Sequence, residues 1–355
     1  MESQIDRLTY TATDLLHDGE YAEPLFAGGV LCHGGFDKDG HYRSPRTLHR
    51  DPAVLAWQNK LRREGQPLIE LADALTPPQY PSVAQARLLL KQGLQEPIVR
   101  ALTVISILEG FGAIIRDVRV PELASMFVEP IDGTALHHLD LGLFEAHARD
   151  EAGYRDQGGH KQMWEAARDL ALENPKVPPD VFLRLMGDRG QSRGGEPLFP
   201  QLDKKLHRML NMMSQVYVIE VFAKSTFEWG IALLSDPEVS AAPERAGAMV
   251  GYIRADESPH VEYLRTALSE ARARTLRTED GHTIAGKTVV DGMLHHILSR
   301  MTESRPREQR NDTRGAVERA VEAGQAKKSL LEEFDLLQPS WTPPASTGFE
   351  PMAAA

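Results

Sequence analysis

The stretch Arg254-Ala255-Asp256-Glu257-Ser258-Pro259-His260-Val261-Glu262-Tyr263 decides how the chain is read. Its core is an Asp-Glu pair followed three residues later by His. On a helix, Glu257 and His260 leave the same face about one turn apart. A carboxylate and an imidazole so placed can share one transition-metal ion. The same residues also fit a helix start, with Ser258 as cap and Pro259 at the first position. Pro259 inside a helix would instead predict a kink, because it cannot donate to the carbonyl of Ala255. The choice depends on what the rest of the chain supplies.

Two long apolar helices are predicted upstream, over 98–118 and 201–234. Each carries a lone acid in an apolar run. The first reads Leu102-Thr103-Val104-Ile105-Ser106-Ile107-Leu108-Glu109-Gly110-Phe111. The second reads Val216-Tyr217-Val218-Ile219-Glu220-Val221-Phe222. A buried carboxylate is costly unless it is paired or bound to a metal. The available pairing cations are Arg100, Arg116 and Lys224. A second Asp-Glu pair, Asp150-Glu151, lies in another predicted helix over 134–154. The separations Glu220 to Glu257 and Glu109 to Glu151 are 37 and 42 residues. Each suits a helix, a connection and a return helix. The pattern is therefore Glu, Asp-Glu, Glu and Asp-Glu-x-x-His on four helices. Four carboxylates meeting in one core call for cations to neutralise them.

This pattern resembles the ferritin-like di-iron carboxylate superfamily, including its arylamine N-oxygenase and desaturase groups. The resemblance covers about 98–270. It implies an all-α fold: a ferritin-like four-helix bundle core with extra helices and an irregular N-terminal segment. It implies that Glu109, Glu151, Glu220, Glu257 and His260 are metal ligands, with Glu109, Glu220 and Glu257 at the catalytic centre. It assigns Asp150 and Asp256 to holding the ligand imidazoles from behind. The implied cofactor is two Fe ions, with Mn as the alternative. The implied activity is that of a di-iron oxygenase or oxidase acting on a small molecule by hydroxylation, N-oxygenation, desaturation or C–C cleavage.

One position departs from the family pattern, because Tyr154 stands where a histidine is expected. Two histidines could compensate. His147 precedes Glu151 by four residues and projects to nearly the same side as position 154. His160 comes into register only if 154–159 forms a bulge or loop. A histidine-poor site with Tyr154 nearby is the third option. Glu145 is an alternative ligand, and Glu228 reads as a structural or supporting acid. Tyr217 reads as a packed core tyrosine, and Met209, Met212 and Met213 as core filling. His33, His41, His137, His138, His295 and His296 read as loop, helix-start or surface histidines.

The rest of the chain bounds these readings. Of its 355 residues, 41% are hydrophobic and 26% charged, as in an ordinary globular protein. The net charge of −11 opposes a nucleic-acid partner. One cysteine, Cys32, leaves no intramolecular disulfide and fits a reducing cytoplasm. Met1 to Asp6 has no signal-peptide pattern. The charges at Glu109 and Glu220 interrupt the apolar runs, so no membrane span is expected. Phe26 to Tyr42, rich in glycine, predicts a small hairpin or loop. Further helices are expected over 54–63, 82–94, 160–172, 289–301 and 314–337, a loop over 187–200, and a Pro-rich extended end over 338–355. The expected divisions are an N-terminal arm (1–95), the bundle (96–305), and a C-terminal helix with tail (306–355). Expected partners are a small-molecule substrate and O2. An electron-donor protein and a homodimer remain open. The rival readings are a ferritin-like iron-storage or peroxide-scavenging protein, and a metal-free helical interaction protein.

Overall fold

The computed structural model describes residues 7–182 and 197–350. It is 60% helix and 7% strand, which places the chain in the all-α class. The N-terminal arm forms a small antiparallel sheet of β1 (Glu23–Ala27), β2 (Val30–Phe36) and β3 (Tyr42–Arg43). Gly28 and Gly29 both have positive φ in the β1–β2 turn, which glycine tolerates without steric cost. Helices α1 (Thr47–Arg63) and α2 (Val83–Lys91) follow. The Ser82 hydroxyl accepts from Gln85 N–H and the Gln85 side chain returns the bond, closing a capping box at the start of α2.

Five helices then set the frame: α3 (Glu96–Gly112), α4 (Phe144–Ala152), α5 (His160–Ala171), α6 (Lys204–Leu234) and α7 (Pro243–Arg272). Asp203 caps α6 by accepting from the N–H groups of Lys205 and Leu206. Pro243 opens α7, where a missing N–H costs nothing. Helix α7 runs unbroken through Pro259, so the alternative of a helix start at Ser258 is excluded. Helices α6 and α7 pack along each other, α7 packs along α5, and α5 along α3. Helix α4 completes the group by packing on α3. The chain closes with a hairpin of β4 (Thr275–Arg277) and β5 (Thr283–Ala285), then α8 (Gly286–Glu322) and α9 (Ser329–Leu336).

Several boundaries differ from expectation. The helix expected over 134–154 is really a turn at Ala135–His138, a π-helical segment at Leu139–Leu143 and then α4. Gly142, with φ of 151°, makes the break. The separate helices expected over 289–301 and 314–337 are replaced by α8, which continues through Pro306, and the short α9. The run Glu96–Asp117 is, by length and composition, apolar enough to cross a membrane despite Glu109, with 39% of its most apolar window buried. That corrects the expectation that its charge disqualifies it. The expected loop over 187–200 lies largely outside the described residues, as do Met1 to Asp6.

Buried apolar side chains fall into two clusters, one around Trp57, Tyr217 and Tyr263, the other around Trp164, Phe227 and Ile253. Helices α6 and α7 each contribute to both clusters, whereas α4 lies in the first and α3 and α5 in the second, so the chain crosses between them near the ends of these shorter helices. In α3 the crossing lies between Ile105 and the Ala113 that follows the helix, in α7 between Ile253 and Tyr263, and from α4 to α5 between Ala148 and Met163. Glu109, Glu151 and Glu257 occupy these crossings, and Glu220 lies just before the α6 crossing between Phe222 and Phe227, so a polar layer divides the core.

Away from that layer, Glu270 on α7 is buried and accepts from the N–H groups of Ala135 and Leu136. Burial pushes its carboxyl up to about 7, against an ordinary 4.5. The folded state therefore holds this proton more tightly than the unfolded chain. Its contribution is complete below pH 4.5 and declines as pH rises through about 7. Denaturant midpoints should fall between about pH 5 and about pH 8, and Glu270→Gln should shrink that fall. An equal fall in the variant would contradict this assignment.

Candidate metal centre

The polar layer gathers Glu109 from α3, His147 and Glu151 from α4, His160 from α5, Glu220 from α6, and Glu257 and His260 from α7. Two overlapping groups could each hold a metal ion: Glu109, Glu151, His160 and Glu257, and His147, Glu151, Glu220 and His260. Glu151 belongs to both. Its Oε1 lies 3.3 Å from His160 Nδ1, 3.1 Å from His260 Nδ1 and 3.8 Å from His147 Nε2. Glu257 spans the same gap, with Oε1 3.0 Å from His160 Nδ1 and Oε2 2.9 Å from His260 Nδ1. Glu109 Oε2 lies 3.6 Å from His160 Nδ1, and Glu220 Oε1 lies 3.4 Å from His147 Nε2.

The two Asp residues hold imidazoles crosswise. His260 Nε2 lies 2.9 Å from Asp150 Oδ2, across from α7 to α4. His160 Nε2 lies 3.4 Å from Asp256 Oδ2, across from α5 to α7. Each ring thus turns its Nδ1 toward the shared carboxylates. His147 turns the other way: Nδ1 faces Tyr263 Oη at 3.2 Å, and Nε2 faces the acids. Its ring stacks on His260 with centroids 4.0 Å apart.

The sequence options for the second histidine are not exclusive, since the structure brings both His147 and His160 into the layer. His160 gets there through a loop. Gly153, with φ of 81°, ends α4, and Tyr154 pairs back to Gln157. Gly159 then packs so closely that a Cβ there would lie 2.4 Å from Gly153 N and 2.6 Å from Asp150 O. Tyr154 itself turns away, beneath the guanidinium of Arg149. Glu145 pairs with Arg149 at 2.7 Å, and Glu228 is exposed; neither reaches the layer. The cations that could have paired with the lone acids go elsewhere: Arg100 to Glu96 and Asp180, Arg116 to Glu145, and Lys224 to Asp73.

Sequence reading missed the contribution of the N-terminal arm. His33 on β2, expected as a loop or surface residue, is buried with Nε2 3.3 Å from Asp256 Oδ2. Tyr42 Oη donates to the same oxygen at 2.7 Å. Asp150 accepts from Arg46 Nε at 2.8 Å, again from Arg46 Nη2, and from Arg50 Nη1 at 2.8 Å. Arg46 sits in the left-handed region at φ 55°, a conformation held by its bonds to Asp150 and Asp18. The hairpin is also tied to the loop before His160, with His33 N–H donating to Gly158 O and Gly158 N–H to Leu31 O. No local pattern marks these residues, because their partners lie about 100 residues or more away. Cys32 is buried beside this tie, and burial pushes its thiol up to about 11, so it is inert. Two further candidate groups are found among the described residues: His33, His160 and Asp256, the buried contacts just given, and Asp37, Asp39 and His41, accounted for by its turn, in which Asp37 Oδ1 accepts from the N–H groups of Asp39 and His41.

The layer distributes charge unevenly. Burial pushes Glu151 and Glu257 well above the carboxylate range, and the neighbouring acids Glu109 and Glu220 respectively add to this. Burial opposes ionised Glu220, but His147 brings it down to about 2. Burial likewise opposes ionised Asp150, which Arg46 and Arg50 hold well below the usual range. Asp256 is held at about 2 against burial by His160 and His33. Burial disfavours charged His160, yet Glu257 and Glu151 hold its pKa well above the ordinary value. His260 falls to about 3 through burial and the nearby His147.

Comparison with protein-family models, curated proteins and solved structures returned no match, so the site is judged on its own geometry.

Two substitutions test the supports. Gly159→Ala should cost about 2–4 kcal/mol in urea unfolding, because backbone must move, whereas Gly251→Ala in open space on α7 should be neutral or slightly stabilising. Equal effects would contradict the close-packed loop. Arg50→Ala should cost about 3–5 kcal/mol by leaving a buried charge short of a partner. Adding Asp150→Asn should recover part of that loss, and no recovery would show that the arginine acts by packing alone.

Proposed function

We propose that this chain is a ferritin-like non-haem di-iron protein that activates O2 to oxidise a small organic substrate. In this reading α3, α4 with α5, α6 and α7 are the four helices of the bundle, the second being interrupted at 153–159. The observation that carries the proposal is the pair of overlapping carboxylate–imidazole groups sharing Glu151 within one buried layer.

The residues present fit two metal ions. His147 Nε2, Glu151 Oε1, His160 Nδ1 and Glu257 Oε1 are buried without a hydrogen-bond partner. Unpaired buried polar atoms are costly, and these four point into the two candidate positions. Four Glu carboxylates balance two divalent cations in charge. Mixed imidazole and carboxylate donors suit iron, with manganese as the alternative. Two Fe(II) ions held there would supply the electrons that activate O2.

The chain's own groups divide the remaining work. Glu151 and Glu257 stand between the positions, while Glu109 and Glu220 flank them at opposite ends. Asp150 and Asp256 fix the orientations of His260 and His160, so each imidazole presents Nδ1 inward. The arm residues His33, Tyr42, Arg46 and Arg50 close the histidine side against water. Glu109 and Glu220 keep the most exposure among the four acids, with side chains 14% and 9% exposed. Substrate and O2 therefore approach between α3 and α6.

Metal analysis tests the reading. The purified protein should hold about two iron ions, develop near-ultraviolet absorption when Fe(II) and O2 are added, and lose both on Glu257→Ala. Substrate-dependent O2 consumption, screened over amines, fatty acids and aromatic acids, separates an oxygenase from the iron-storage rival, which would take up many irons without substrate. A protein with no iron or manganese, unchanged by Glu257→Ala, would sink the proposal and leave the metal-free rival.

A further inference from the structure

The two positions are not alike, and the difference traces to one histidine. The position bounded by Glu109 has a single imidazole, His160, facing it. The position bounded by Glu220 has two, His147 and His260. The third imidazole does not arise from the Glu-x-x-His spacing. It reaches the layer because the π-helical segment and Gly142 restart the helix at Phe144 and set the phase of α4. The ring is then fixed from two sides. Tyr263 Oη meets Nδ1, His260 stacks on one face, and Nε2 is left buried and unpaired, 3.4 Å from Glu220 Oε1. A buried histidine with one nitrogen fixed and the other free has the arrangement of a ligand rather than of a packing residue.

Resting on the two-metal reading above, we propose that the chain loads its positions unequally. The His147–His260–Glu220 position fills first and selects Fe(II) over Mn(II). The Glu109–His160 position fills second and discriminates less. Neutral imidazole donors favour Fe(II) over Mn(II), in keeping with the order of divalent affinities, whereas oxygen-rich sites accept hard Mn(II) readily. The shared acids Glu151 and Glu257 serve both positions, so the contrast rests on the unshared donors: two imidazoles and one carboxylate against one imidazole and one carboxylate. When iron is scarce and manganese plentiful, the centre is expected to hold one iron and one manganese, with iron at the two-histidine position.

The test is an anaerobic titration of the full metal-free chain with Fe(II), then with Mn(II), following bound metal by calorimetry and free Mn(II) by its electron paramagnetic signal. Wild type should bind Fe(II) in two steps at least about tenfold apart, and the two Mn(II) steps should lie closer together. His147→Ala should weaken the tight Fe(II) step by at least about tenfold and leave the weak step in place, which also shows that the variant is folded. Added imidazole, filling the vacated volume, should restore the tight step. His160→Ala should instead remove the weak step. Two Fe(II) steps of equal affinity in wild type, or a tight step unmoved by His147→Ala, would overturn unequal loading while leaving the two-metal reading intact. No binding of either metal by wild type would overturn both.

Discussion

Four glutamates brought together inside an apolar core are the constraint on which the structure depends. Leaving several carboxylates within hydrogen-bond distance of the same imidazoles costs free energy through burial and mutual repulsion, and neither is offset by packing. The fold confines that cost to one layer. Above and below it lie two apolar clusters, and α6 and α7 each contribute to both. The polar layer is thus held by apolar packing on either side, with helices carrying its acids and the loop over 153–159 placing His160. Burial and the neighbouring acids push the carboxyls of Glu151 and Glu257 well above the ordinary range.

The surroundings of the two Asp residues add an asymmetry. Asp150 faces two buried arginines, so its negative charge is fixed and cancelled in place. Asp256 faces His33 and Tyr42, groups that give hydrogen bonds without a permanent charge. Both sets of partners come from the N-terminal arm, whose strand β2 is bonded to the loop carrying Gly158. The arm therefore sets the inner site in two ways. It orients the groups behind the imidazoles, and it pins the loop that starts α5 at His160.

What was legible in the sequence followed from local periodicity. Glu257 and His260 share a face because three residues make nearly a turn. Glu109 and Glu220 stand out because nothing else ionisable lies near them in the chain. The bounds of α6, Lys204–Leu234, fall close to the expected 201–234 because its apolar run is long and continuous. The second helix was harder, since a π-helical segment and a glycine-bounded loop each shift the helical phase, so simple angles from Glu151 could not choose between His147 and His160. Tyr154 occupies the expected histidine position in spacing only, because α4 has already ended at Ala152. His33, Tyr42, Arg46 and Arg50 were illegible for another reason: their roles come from tertiary contacts with no period to reveal them. The reach of α8 through Pro306 was missed because proline usually ends a helix.

The most direct measurement of the central account is the thermal stability of the metal-free chain as Fe(II) is added anaerobically. Cations that neutralise the buried layer bind the folded state and not the unfolded chain, so they must stabilise it. The account predicts a Tm that climbs with added Fe(II), with a break in the bound-metal curve at about two ions per chain, and no such climb in Glu257→Ala. A Tm that ignores Fe(II) and Mn(II) alike would contradict it, and the four glutamates would then need another source of balance.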